Sequence, residues 1–241
     1  MKSTPRIVLA SSLGKTNSGG LLTLEASRSS VLDPRSSVPS RYDNPFATCW
    51  TRPGSIAFRF SEEQNAKQLV EKLAAQNWQG AIIGPHGSGK STLLETLKPM
   101  LRAAGCHIHA VTLRDGQRRL PQCVWSFDAT PALVIIDGYE QLTWRERLRL
   151  NRRCRRAKLG LLVTAHSPTH IPLLIRLNPG ARLVQRLVAE LAAQVSTQIT
   201  AADVAASHAC HGSNVREIFF DLYDRHERLR RVERTHGCHR A

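Results

Sequence analysis

The sequence predicts an α/β protein: a three-layer sandwich around a parallel sheet, with a small C-terminal helical lid. Three observations carry this. Ala132-Leu133-Val134-Ile135-Ile136 is an unbroken apolar run ending in Asp137, the pattern of a strand covered by helices on both faces. Gly80-Ala81-Ile82-Ile83 is a second short apolar run. It passes through a glycine-rich turn into a helix with Leu93, Leu94, Leu97 and Leu101 on one face. Beyond Asn178-Pro179-Gly180 only helical periodicity remains. Strands alternating with helices imply a parallel sheet, and the terminal helical run implies a separate small unit.

Each element follows in order. Residues 1–43 are rich in Ser, Gly, Pro and Arg and lack periodicity, so disorder is expected there. Asn44 to Phe60, with Pro45, Phe46, Trp50 and Pro53, reads as an ordered lead-in that packs on the core. Ser61-Glu62-Glu63-Gln64 fits a capping box. The helix expected after it carries Ala66, Leu69, Val70, Leu73 and Ala74 on one face. Cys106–Leu113 reads as a strand and Arg114–Gln117 as a turn. Thr143-Trp144-Arg145-Glu146 is a second capping box, opening a very basic helix that runs to about Lys158. Leu161–Thr164 and Leu173–Leu177 complete the strands. Helices are expected over Leu183–Ala193, after the Thr200–Asp203 cap, and from Ser213 with Val215, Ile218, Phe219, Leu222, Tyr223, His226 and Leu229 on its apolar face. The expected division is a disordered segment over 1–43, an α/β domain over 44–195, a helical lid over 196–235 and a tail over 236–241.

The 34 Lys and Arg against 19 Asp and Glu give a formal net charge of +15. The sequence pI is about 10.5. Such a balance favours phosphate-rich partners; an arginine-biased composition with solvated faces explains it equally well. The six cysteines stand singly, without a C-x-x-C pair. Cys106-His107-Ile108-His109 and His236-Gly237-Cys238-His239 have ligand types, but read as strand and tail rather than metal sites. Reduced thiols fit a cytoplasmic protein. No apolar stretch approaches the length of a membrane-spanning helix, so no membrane partner is expected.

Gly84-Pro85-His86-Gly87-Ser88-Gly89-Lys90-Ser91 fits the phosphate-binding loop pattern G-x-x-x-x-G-K-[ST] at every fixed position. It sits between a strand and a helix, the context that this motif requires. Its glycines let the backbone wrap phosphate oxygens, aided by the helix N-terminus. Residues Gly84 to Thr92 are therefore the expected nucleotide contacts. Lys90 is expected on the β- and γ-phosphates and Ser91 on Mg²⁺. His86 reads as a variable position. Asp137, at the tip of a buried parallel strand, reads as a Walker B aspartate for Mg²⁺. Glu140 is a candidate general base. It stands three residues past Asp137, with Gly138-Tyr139 between.

With these motifs the chain resembles the AAA-type ATPases of the additional-strand P-loop NTPases, over about residues 60–223. Thr164, at the end of the fourth strand, matches the family's polar sensor 1, with His166 as the alternative. Gly212-Ser213-Asn214-Val215-Arg216-Glu217 looks like the sensor 2 segment, whose arginine, here Arg216, reaches the γ-phosphate from the lid. The resemblance implies the P-loop NTPase three-layer sandwich and an Mg²⁺–ATP-dependent hydrolase. Two departures stand out: the Asp-Glu doublet is missing, and no arginine-finger motif is recognisable. A nucleotide-dependent switch with little hydrolysis is the second reading and a P-loop kinase the third. Nucleobase contacts are expected near Phe46–Pro53. The basic helix 143–158 is a candidate surface for nucleic acid or an acidic protein. In the bland reading Trp144, Leu148 and Cys154 bury and the arginines are a solvated face. The helix also lacks the interleaved aromatics of a single-strand stacking platform. Oligomeric state stays open.

Overall fold

The computed structural model describes residues 44–61, 64–122, 132–193, 195 and 197–237. The expectation for residues 1–43 lies outside them. Five strands, β1 (Gln79–Ile83), β2 (His107–Thr112), β3 (Ala132–Asp137), β4 (Gly160–Ala165) and β5 (Leu173–Arg176), form one sheet in the order β2-β3-β4-β1-β5. Every pairing is parallel. Ile83 at the end of β1 pairs with Ala165 of β4. Ile136 of β3 pairs with Val163 of the same strand. The carboxyl ends of β1, β4 and β3 therefore lie side by side, and whatever follows each strand emerges at one edge of the sheet.

The helices are α1 (Thr48–Thr51), α2 (Ala66–Ala75), α3 (Lys90–Ala103), α4 (Trp144–Arg156), α5 (Ala181–Ala192), α6 (Ala201–His211) and α7 (Val215–Gly237). Alternate strand residues face opposite layers. Ile82, Leu133, Ile135 and Leu162 pack with Leu69 and Leu73 of α2 and with the leucine face of α3. Ala81, Val134, Ile136, Leu161 and Val163 pack with Leu150 and Cys154 of α4. This is the three-layer α/β sandwich around a parallel sheet. A third cluster joins Val184 and Val188 of α5, Val204 of α6, and Ile218 and Leu222 of α7 to Phe46 of the lead-in. Asn44 Nδ2 fastens that lead-in by donating to Tyr223 O at 3.2 Å and Glu227 Oε1 at 2.8 Å.

Two local expectations need correction. The cap of α2 is Asn65, not Ser61. Its side chain accepts from Gln68 N while the Gln68 side chain accepts from Asn65 N, a full capping box one turn later. The buried face of α4 differs in part: Cys154 is buried as expected, but with Leu150 in place of Trp144 and Leu148. Leu150 and Cys154 are buried, each 1% exposed, whereas Trp144 is 69% and Leu148 39% exposed. At about 3.6 residues per turn, positions 150 and 154 share a stripe that excludes 144 and 148. Among the described residues no helix is long and apolar enough to cross a membrane.

Candidate functional site

The chain leaves β1 into the glycine-rich loop. Gly84 N donates to Ala165 O at 3.1 Å, tying the loop to the end of β4. A Cβ on Gly84 would stand 2.6 Å from Ser88 Oγ and 2.7 Å from Leu177 O. Gly87 and Gly89 have φ of +66° and +91°, a region that glycine enters without a side-chain clash. α3 then starts at Lys90. Lys90 is only 8% exposed, and its Nζ donates to Gly84 O at 2.8 Å and Pro85 O at 2.6 Å. Burial lowers the Lys90 pKa below the usual amine value; Glu140 and Asp137 oppose that shift and Arg216 adds to it.

Asp137, at the tip of β3, accepts two hydroxyls. Ser91 Oγ donates to Oδ2 at 2.7 Å and Thr164 Oγ1 to Oδ1 at 2.6 Å. Thr164 also accepts from Gly138 N at 2.8 Å, so its one hydroxyl proton is committed to Asp137. Gly138, with φ +90°, then turns the chain into a short 3-10 turn over Tyr139–Gln141. A Cβ on Gly138 would lie 2.9 Å from Leu113 O. That turn carries Glu140 back to the sheet edge, across the two intervening residues. Glu140 Oε1 lies 3.2 Å from His166 Nε2. Its Oε2 is buried and has no hydrogen-bond partner among the described residues. Burial lowers the His166 pKa; Glu140 and Asp137 oppose it, while Lys90 and His86 reinforce it.

The start of α7 lies against the loop. A Cβ on Gly87 would collide with Asn214 Oδ1 and stand 3.1 Å from Arg216 N. Asn214 Oδ1 also accepts from Glu217 N at 3.4 Å. One cleft of about 760 Å³ is lined by His86 to Thr92, Asp137, Glu140, Thr164, His166 and Arg216. Gly84 and Pro85 form the loop's entry, and their carbonyls hold Lys90. Away from the loop the cleft wall becomes apolar, with Ile56, Leu183, Leu187 and Phe219. Thr48, Thr51, Arg52 and Pro53 line it as well, at the segment expected to supply nucleobase contacts.

The residues present fit an Mg²⁺–nucleotide. Ser91 and Asp137 offer adjacent hard oxygens, the donor type that Mg²⁺ takes while keeping most of its waters. The loop is a backbone cradle with an ammonium at its floor. Among the described residues no group of three or more His, Cys, Asp or Glu side chains is arranged as a metal cage.

The strand order decides the architecture. β4, which ends in Thr164 and leads to His166, separates the loop strand β1 from the Asp137 strand β3. The start of α7, which carries Arg216, lines the cleft at the same edge. The fold is a five-stranded, all-parallel α/β sandwich with a helical C-terminal region.

No family model matches the chain. The ATP-binding protein Uup of Escherichia coli (strain K12) is 40% identical over 68 residues, covering 26% of this chain and 11% of that protein. Among solved structures, the Thermotoga maritima RuvB Holliday junction branch migration motor is similar at 16% identity. It aligns over 66% of this chain and 60% of that one, with a TM-score of 0.48. AMPPCP-bound DnaA from Aquifex aeolicus is 14% identical over 74% of this chain and 68% of its own, with a TM-score of 0.43. The chain thus spans a small part of the curated relative and under two thirds of the first of these structures.

Two contacts of the loop had no counterpart in the sequence reading. His86, read as a variable position, has its ring centroid 3.6 Å from that of His166. Its only signal was being a ring-bearing residue in the loop, with a second histidine after a neighbouring strand. Asn214 was quoted as part of the lid segment, but its contact with Gly87 had no signature in spacing.

Proposed function

We propose that this protein binds Mg²⁺–ATP in the cleft and hydrolyses it, the lid over 196–235 moving against the α/β domain over 44–195. The observation that carries this is convergence. Four separate segments, the loop, the β3 tip, the end of β4 and the start of α7, supply Lys90, Asp137, His166 and Arg216 to one cleft. Lys90 serves the β- and γ-phosphates, for which a point charge suits. Ser91 and Asp137 would hold Mg²⁺, which supplies charge against the phosphate oxygens. Thr164 orients Asp137 through its 2.6 Å bond. Glu140 takes the proton of the attacking water; its carboxylate lines the cleft and its Oε2 has no hydrogen-bond partner among the described residues. Arg216 gives the lid a charge-assisted contact with the terminal phosphate. The apolar wall around Leu183, Leu187 and Phe219 takes the base.

The His166 contact favours a second reading. Glu140 Oε1 is engaged at 3.2 Å, and a base held this way suits a slowly hydrolysing switch.

Calorimetry and single-turnover phosphate release separate the two. Lys90→Ala loses most Mg²⁺–ATP affinity, and Lys90→Arg does not restore it. Glu140→Gln binds ATP but releases phosphate about 100- to 10,000-fold more slowly, the usual worth of a general base. Arg216→Ala weakens ATP more than ADP. A Lys90→Ala protein that binds ATP like the parent would falsify the assignment of the loop. Tight binding with no turnover in the parent would select the switch.

A further inference from the structure

We propose that the exposed face of α4 binds single-stranded nucleic acid, with Trp144 stacking on a base and the arginines around it holding phosphates. The proposal does not depend on the nucleotide reading above.

The register of α4 carries it. With Leu150 and Cys154 turned to the sheet, the outer face presents Trp144, 69% exposed, and Leu148, 39% exposed. They share a groove of about 570 Å³ with Arg145, Arg149, Arg152 and Arg156. The apolar side chains expected in the core thus stand among the arginines. The Arg145 guanidinium lies over the Trp144 ring, 5.4 Å from its centroid. Arginine paired with an exposed aromatic is the combination that receives an unstacked base. Glu146 is the helix's one acid. It is largely turned inward and sits 3.8 Å from Arg149. Arg145 and Arg149, and likewise Arg152 and Arg156, are one turn apart, about 6 Å along the axis. They form a ladder of forked donors suited to bidentate phosphate contacts.

Two other occupants fit less well. A stable protein interface needs about 800 Å² per partner, with charge depleted at its centre. Here arginine occupies the centre and the apolar part is two side chains. A duplex has its bases already stacked, which leaves the Trp144 ring nothing to cover. An extended single strand offers bare base faces and regularly spaced phosphates together.

The test uses the full chain without nucleotide, so its result is independent of ATP chemistry. Fluorescence anisotropy measures binding of a labelled oligothymidylate of about 20 nucleotides, a duplex of equal length and polyglutamate, across salt from about 50 mM upward. Arg152→Glu/Arg156→Glu is compared with Lys67→Glu/Arg102→Glu, which makes the same change in net charge at exposed positions on α2 and α3. Circular dichroism checks that each variant keeps its helices. The α4 pair should weaken oligothymidylate binding at least about tenfold and reduce the slope of log K against log salt by about 1.4, for two lost single-strand phosphate contacts. The control pair should stay within about threefold of the parent, as loss of overall attraction alone. Trp144→Ala should weaken oligothymidylate about 5- to 100-fold and leave the duplex nearly unchanged.

Four results overturn the proposal. Oligothymidylate binding undetectable at low salt removes the site. Equal losses in the two charge pairs reduce it to net charge. Polyglutamate binding as tightly as oligothymidylate assigns the face to an acidic protein. Duplex and single strand bound equally, with Trp144→Ala silent, removes the stacked base.

Discussion

Gly87→Ala tests the contact between the phosphate loop and the lid. Gly87 has φ +66°, and its Cβ would collide with Asn214 Oδ1. A residue with a Cβ in the left-handed region is less stable by about 1–2 kcal/mol. The collision also pushes Asn214 off Glu217 N, its 3.4 Å partner at the start of α7, and a lost helix cap costs about 1 kcal/mol. Together the loss is about 2–3 kcal/mol. Asn214→Ala alone should lose only the cap, about 1 kcal/mol. In the double variant the new methyl no longer meets a side chain, so only the left-handed term is added to the lost cap. The sum of the single effects should then exceed the double by about 1 kcal/mol, beyond the usual few tenths of scatter between independent sites. Urea unfolding measures this, through midpoints at constant slope. Gly87→Ala unfolding within about 0.5 kcal/mol of the parent, the range of an inconsequential surface change, would refute the reasoning. So would strict additivity in the cycle.

Two further outcomes follow from the geometry. His166 has a pKa lowered mainly by burial, with Lys90 and His86 adding to the shift and Glu140 and Asp137 opposing it. Its unfolded form, with a pKa near 6.5, binds a proton first, so stability is intact above that pH and falls as pH drops toward the lower folded value. His166→Gln should flatten the stability profile between about pH 7 and 5 by up to one proton; an unchanged slope would mean that another group carries it. In α4, Leu150→Ala should lose about 2–5 kcal/mol, while Leu148→Ala should stay within about 0.5 kcal/mol. Denaturant melts that gave the opposite order would place the helix in another register.

What was legible in the sequence is what one segment determines by itself. The loop motif, the apolar β3 run and the Thr200–Asp203 capping box each declare their structure locally, and the strand–helix alternation fixed the sandwich. Positions that depend on two segments were harder. Ser61 and Asn65 both start cap-like patterns one turn apart, and the packing of Leu69 and Leu73 on the sheet selects Asn65. Trp144 and Leu148 satisfy helical spacing as well as Leu150 and Cys154 do, and hydrophobicity alone prefers the tryptophan. The docking of α4 on Val134, Ile136, Leu161 and Val163 reverses that choice. At the site, sequence distance hides the tight turn that carries Glu140 back to the sheet edge. Gly138 supplies that turn. The ring contact of His86 with His166 needs β1 and β4 to be neighbours, which no stretch of sequence states.

Arg147 ties α4 to the turn that carries Glu140. Its Nη2 donates to Glu140 O at 2.7 Å, its Nε to Leu142 O at 3.0 Å, and its guanidinium lies over the Tyr139 ring, 5.2 Å from the centroid. The first turn of α4 is therefore clamped to the peptide that carries Glu140. A change that displaces the first turn of α4 displaces the peptide of Glu140 with it, although Leu142 and Thr143 separate the two elements in sequence. Arg147→Lys, which keeps the charge but loses the forked grip, would loosen that tie while leaving Asp137, Lys90 and the outer arginines of α4 in place.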